Sequence, residues 1–135
     1  MTTLGLKSPH DGSVLMLSIT RWADTDTEFE VAVRTPWFTG RAQTSCYHNG
    51  SPVEMFLAMA RDWRGWTGEK QWQDIEGQVI FIATADATGH VELIVELRKS
   101  FEGSLLRVVI QYEAGQLEDM AEAVAGLFEA PQPRI

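Results

Sequence analysis

A single cysteine, Cys46, stands in 135 residues. This excludes an internal disulfide and a multi-cysteine zinc site, so nothing in the chain requires an oxidising compartment. Basic residues are scarce too: 11 Lys and Arg face 19 Asp and Glu, for a net charge of −8. Without a basic patch or stripe there is nothing to grip nucleic-acid phosphates, and the balance of charge favours a basic protein partner instead. No apolar run reaches the length that spans a bilayer. The opening MTTLGLKSPHDG has neither a basic n-region nor an apolar h-region. The expected protein is cytoplasmic, with no membrane and no nucleic-acid partner. Glycines are present but form no phosphate loop, since Gly65 to Gly68 lacks both the Gly-Lys-Ser/Thr ending and a Rossmann spacing. His10, His48 and His90 lie far apart, and only Cys46 sits near any of them, so neither a metal nor a cofactor is expected.

What is present is an ordinary globular composition, 44% apolar and 22% charged, at the size of one domain. Residues 1–12 read as a lead-in segment ending in the turn Ser8-Pro9-His10-Asp11-Gly12. Ser13 to Trp22 and Glu28 to Thr35 read as strands. The second has the cleanest alternation in the chain, with Phe29, Val31 and Val33 on one face. Trp37 to Cys46 supplies a third. Ser51-Pro52-Val53-Glu54 then fits a capping box, which predicts a helix with Val53, Phe56, Leu57, Ala60 and Trp63 on its apolar stripe and Gly65 as its stop. Gly65 to Gly77 reads as a loop.

From Gln78 to Tyr112 the chain reads as a β-meander of three strands: QVIFIATAD, HVELIVELR and SLLRVVIQY. Leu117, Met120, Ala121, Val124, Leu127 and Phe128 then fall on one helical stripe, and residues 130–135 form a proline-bounded tail. No internal repeat is visible. The expected fold is α+β. It is a single domain with a mainly antiparallel sheet of about six strands, one helix inserted after the third strand and one C-terminal helix.

Candidate chemistry is sparse. Cys46 and His48 could share a strand face, yet no third group completes a nucleophilic site, so a structural cysteine beside a turn histidine is the reading. The carboxylates Asp24, Asp26, Glu28 and Glu30 read as a solvated face. No catalytic residue is assigned. Trp63, Trp66 and Trp72 gather around a helix end and a loop, where tryptophan serves either as a tether or as a contact anchor, and Trp66 is the one expected at the surface. The C-terminal helical region carries Glu113, Glu118, Asp119, Glu122 and Glu129 with no basic residue. Trp66, Trp72, Glu113, Glu118, Asp119 and Glu122 are therefore the candidate partner-binding residues.

The segments IEGQVIFIATADATGHVELIVELR and IQYEAGQLEDMAEAVAGLF, behind a strand-rich half, a capped helix and a Trp-bearing loop, resemble small bacterial domains of unknown function. They resemble WapI-type immunity proteins at a greater distance. The resemblance spans residues 13 to 128. It rests on Gly77 ahead of its strand, on the Gly89-His90-Val91 turn, and on Leu117 opening the last helix after Glu113. It implies a non-enzymatic immunity protein that binds and blocks a cognate toxin domain delivered by a neighbouring cell. Two other roles stay open on the residues alone: a small-ligand-binding or enzymatic α+β domain with an apolar pocket, and an assembly module whose sheet edge pairs with another copy.

Overall fold

The structure, a computed structural model, describes residues 2–99 and 103–131. Four strands, β1 (Thr3–Lys7), β2 (Val14–Arg21), β3 (Glu28–Arg34) and β4 (Thr39–Ser45), precede helix α1 (Val53–Arg61). Four more, β5 (Lys70–Gln73), β6 (Val79–Ala85), β7 (His90–Arg98) and β8 (Leu105–Glu113), lead through a 3₁₀ turn into α2 (Leu117–Leu127). The strands form two four-stranded sheets, ordered β1-β2-β3-β4 and β5-β6-β7-β8, and every pairing is antiparallel. Each half of the chain is thus a meander followed by a helix, a repeat of architecture that the residues themselves do not advertise. The halves interlock: α1 packs on β5 of the second half, α2 on β1 of the first, and the two helices on each other.

Alternation decides what each sheet buries. Leu15, Leu17, Phe29, Val31 and Val33 of the first sheet are fully buried, as are Phe81, Leu93, Val95, Ile110 and Tyr112 of the second. Together with Phe56, Met59, Leu117 and Val124 of the helices they make one continuous core. Hydrogen bonds then stitch the sheets. Tyr112 Oη donates to Leu6 O over 2.7 Å, Ser8 Oγ to Gln111 O over 2.5 Å, and Gln116 Nε2 to Lys7 O over 3.1 Å. Burial pushes the Tyr112 phenol well above its usual range, so it stays a donor. Elsewhere, Thr44 Oγ1 donates to Asp74 Oδ2 over 2.6 Å, while Asp74 Oδ1 accepts the amides of Gln78 and Val79.

The α+β class stands, but the expectation of about six strands in one sheet is corrected to eight in two. Two strands account for the difference. The lead-in segment is a full strand because Leu4 and Leu6 find register partners in Leu17 and Leu15. The loop from Gly65 to Gly77 contains β5, whose four residues are too few to show a period and whose one buried side chain is Trp72. The first helix therefore follows the fourth strand rather than the third. Of its expected stripe Phe56 is buried and Val53 and Ala60 pack partly against the core, Met55 and Met59 join them, and Leu57 and Trp63 are exposed. No capping box forms at its start, where Ser51 Oγ accepts the Val53 amide rather than that of Glu54. Helix α1 stops at Arg61, and Gly65 serves the turn beyond it, at φ 118° with its amide on Asp62 O. The stripe expected for α2 is buried as read, with Phe128 packed partly against it. Of the tail expected over 130–135, residues 132–135 lie outside the described residues. No helix among the described residues is long and apolar enough to cross a membrane.

Candidate functional site

Three tryptophans read as one cluster prove to have three roles. Trp72 is 8% exposed, its ring centroid 5.9 Å from that of Phe29 and 5.5 Å from that of Phe81, and its Nε1 donates to Gly50 O over 3.1 Å. It is a core residue, which corrects its place among the contact candidates. Trp66 is half-buried: Nε1 donates to Ala83 O over 3.2 Å, and Lys70 Nζ lies 5.1 Å from its ring centroid. That lysine also bonds Asp62 Oδ2 over 2.7 Å, an interaction that holds the Asp62 carboxyl below its usual range. Trp63 at the end of α1 is the exposed one, at 52%. The surface role expected of Trp66 falls to it.

The acidic candidates divide in the same way. Glu113 is tied into the junction between the sheets, with His10 Nε2 2.6 Å from Glu113 Oε1 and the Glu113 amide donating to Gln116 Oε1 over 2.8 Å. The fold also brings His10 and His90 to 6.4 Å between ring centroids, a neighbourhood hidden by their separation in sequence. Beside them Asp86 accepts from the Thr88 hydroxyl and from the amides of His90 and Thr88, which draws its carboxyl down to about 2. No group of three or more His, Cys, Asp or Glu among the described residues is arranged to hold a metal ion.

Glu118, Asp119 and Glu122, by contrast, stand exposed on the outer face of α2. None has a cationic partner within 4.0 Å among the described residues. Glu118 lines a shallow groove of about 380 Å³ shared with Ala60, Arg61, Trp63, Ala114 and Gly115. An exposed tryptophan and an unpaired carboxylate, separate features in the sequence, become neighbours because α1 and α2 pack side by side.

The remaining suspects are accounted for structurally. Glu28 pairs with Arg21 at 3.0 Å, and Asp26 reaches the same guanidinium at 4.0 Å. Cys46 is buried, and burial, reinforced by the Asp26 carboxylate, pushes its thiol up to about 11. His48 occupies a left-handed turn position at φ 65°. A thiol held protonated at neutral pH is a poor nucleophile. In the native protein at pH 8, its reaction with a disulfide reagent is expected to run on the order of a hundredfold slower than in the denatured chain. Equal rates would show that the thiol is open to solvent.

One surface feature escaped the sequence reading. Trp37 and Phe38, 83% and 62% exposed, sit at the tip of the β3–β4 hairpin, where Thr35 Oγ1 accepts both their amides. The signal was available, since a Trp-Phe pair directly after Thr35-Pro36 places two large aromatics in a turn. Immediately beyond them a groove of about 810 Å³ runs between β4 and the start of β8.

By its fold and surface the molecule is a two-sheet α+β domain of tandem meander–helix halves, with a filled core, open grooves and exposed aromatic and acidic patches. The chain belongs to the DUF6228 family, a family of unknown function, whose model matches residues 6–131. No curated protein matches the chain.

Proposed function

We propose that the chain is a non-catalytic, immunity-type protein that acts in the cytoplasm by binding and neutralising a cognate bacterial toxin domain. The observation that carries this reading is the surface where α1 and α2 meet: exposed Trp63 beside Glu118, continuing into the unpaired carboxylates of Asp119 and Glu122. A large aromatic anchor with Arg61 and Arg64 on the α1 side and carboxylates on the α2 side suits recognition of a protein surface whose basic groups meet the α2 face, where charge speeds encounter and the ring supplies buried area. The net charge of −8 adds long-range attraction for such a partner. The grooves open to solvent and the core between the sheets is filled, which supports a protein contact over an enclosed small-ligand pocket.

Co-expression with a toxin domain encoded beside its gene tests the reading. Growth should be restored and a complex that weakens with salt should be isolated. Reversing the face with Glu118→Lys, Asp119→Lys and Glu122→Lys should weaken that complex about tenfold or more while leaving thermal stability nearly unchanged. Failure of every neighbouring toxin domain to bind, or full protection by the reversed variant, would sink the proposal.

A further inference from the structure

The first sheet ends in an open edge. Cys46 N–H donates to Thr27 O and Thr35 N–H to Phe38 O, which sets the alternation between β3 and β4. Gly40, Ala42 and Thr44 exchange hydrogen bonds with β3. Thr39, Arg41, Gln43 and Ser45 turn their amides and carbonyls away from it, and those four amides have no partner among the described residues. The β1 and β5 edges each take a side-chain bond: Gln116 Nε2 from the α2 side bonds Lys7 O on β1, and Asn49 Nδ2 bonds Gln73 O on β5.

The open edge borders the 810 Å³ groove, which has Leu97 and Leu106 among its lining residues and collects cations from both sheets: Arg41 from the first, Arg98 and Lys99 from the second. Among the described residues Glu30 is the one carboxylate lining it. Neither Arg41 nor Lys99 has an acidic partner within 4.0 Å among the described residues, and Arg98 meets Glu96 at 3.5 Å. Three cations around one groove are notable in a chain with 11 basic residues against 19 acidic ones. Gly40 brings the sheets together here, since a Cβ at that position would collide with the Leu106 side chain.

We propose that the β4 edge accepts an extended acidic segment of a partner protein as a fifth strand of the first sheet. Backbone pairing with Thr39, Arg41, Gln43 and Ser45 supplies the attachment. Alternate side chains of the added strand meet Leu106 or the cations, which is how strand addition acquires specificity. A lone charged residue on an edge strand is ordinary protection against unwanted pairing. The groove, the two cations contributed by the other sheet, and the exposed Trp37 and Phe38 at its end go beyond protection. A second copy of the chain fits less well, because β4, TGRAQTS, carries no carboxylate for these cations and would set arginine-bearing edges against each other. This inference stands on a surface separate from the α2 face and does not depend on it.

The probes are nine-residue peptides alternating Val or Thr with Glu, read by fluorescence anisotropy against the full chain. Saturable binding is expected, weakened at least tenfold by replacing Glu with Lys in the peptide, by N-methylating alternate peptide amides, or by Arg41→Glu in the protein. Gln43→Pro removes one edge amide that β3 does not use and should weaken binding at least tenfold with thermal stability retained. Absence of saturable binding, equal affinity for the Lys peptides, or indifference to N-methylation would overturn the proposal. So would a concentration-dependent dimer of the chain alone that Gln43→Pro dissociates, which would assign the edge to self-association.

Discussion

Trp72→Ala is expected to destabilise the protein by about 3–5 kcal/mol, the range for deleting a large buried aromatic. The indole fills the space beside Phe29 and Phe81, and partial relaxation would leave a cavity lined by both rings. Its Nε1–H also satisfies Gly50 O, which the alanine would leave without that donor. Urea unfolding followed by far-UV circular dichroism measures the effect free of the altered tryptophan fluorescence. Trp63→Ala, at a site 52% exposed, should stay within about 0.5 kcal/mol of the parent. A loss below about 1 kcal/mol for Trp72→Ala would mean that the indole is not part of the core, and would return it to the list of contact residues.

Asp74→Ala should cost about 3 kcal/mol, through polarity rather than volume. Its carboxylate is 5% exposed and accepts from the Thr44 hydroxyl at 2.6 Å and the amides of Gln78 and Val79 at 2.7 and 3.3 Å. Alanine leaves these donors facing a site where water has little access, at roughly 1–3 kcal/mol for each group that stays unsatisfied. Asp74→Asn should be milder, because the amide oxygen can still accept from the backbone while the rotatable Thr44 hydroxyl turns to accept from the new amide. Because Thr44 lies on β4 and Asp74 just after β5, this bond ties the first sheet to the second half of the chain. A double-mutant cycle with Thr44→Val should show coupling of about 1 kcal/mol. Additive losses would mean that the two side chains do not depend on each other.

The meander from Gln78 to Tyr112 was legible because its strands are long enough for alternation to repeat, with Val91, Leu93, Val95 and Leu97 buried on β7 and Val108, Ile110 and Tyr112 on β8. Alternation states which side of a strand is dry but not which sheet the strand joins, so the division into two sheets could not be read. Helix α1 was legible in part: Phe56, Val53 and Ala60 do face inward, but Met55 and Met59 flank that stripe on one side and Leu57 on the other, and only contact with β5 and α2 decides which is buried.

The acidic face of α2 was visible in composition, since no basic residue interrupts Glu113 to Glu129. Which tryptophan reaches the surface was not. An indole stays inside when its N–H finds a carbonyl across the fold, as Trp66 finds Ala83 and Trp72 finds Gly50. Those partners lie 17 and 22 residues away, beyond what local pattern can specify.

The interlocked halves bear on how the chain reaches its native state. Every ladder in both sheets joins strands adjacent in sequence, so each meander can zip through short loops at small closure entropy. The distant contacts come due together, when Tyr112 meets Leu6 across 106 positions and α2 settles on β1. This topology gives the molecule the local contact pattern of a fast-folding protein within each half and concentrates its nonlocal ordering in one docking event, at which each helix completes the other half's unfinished core.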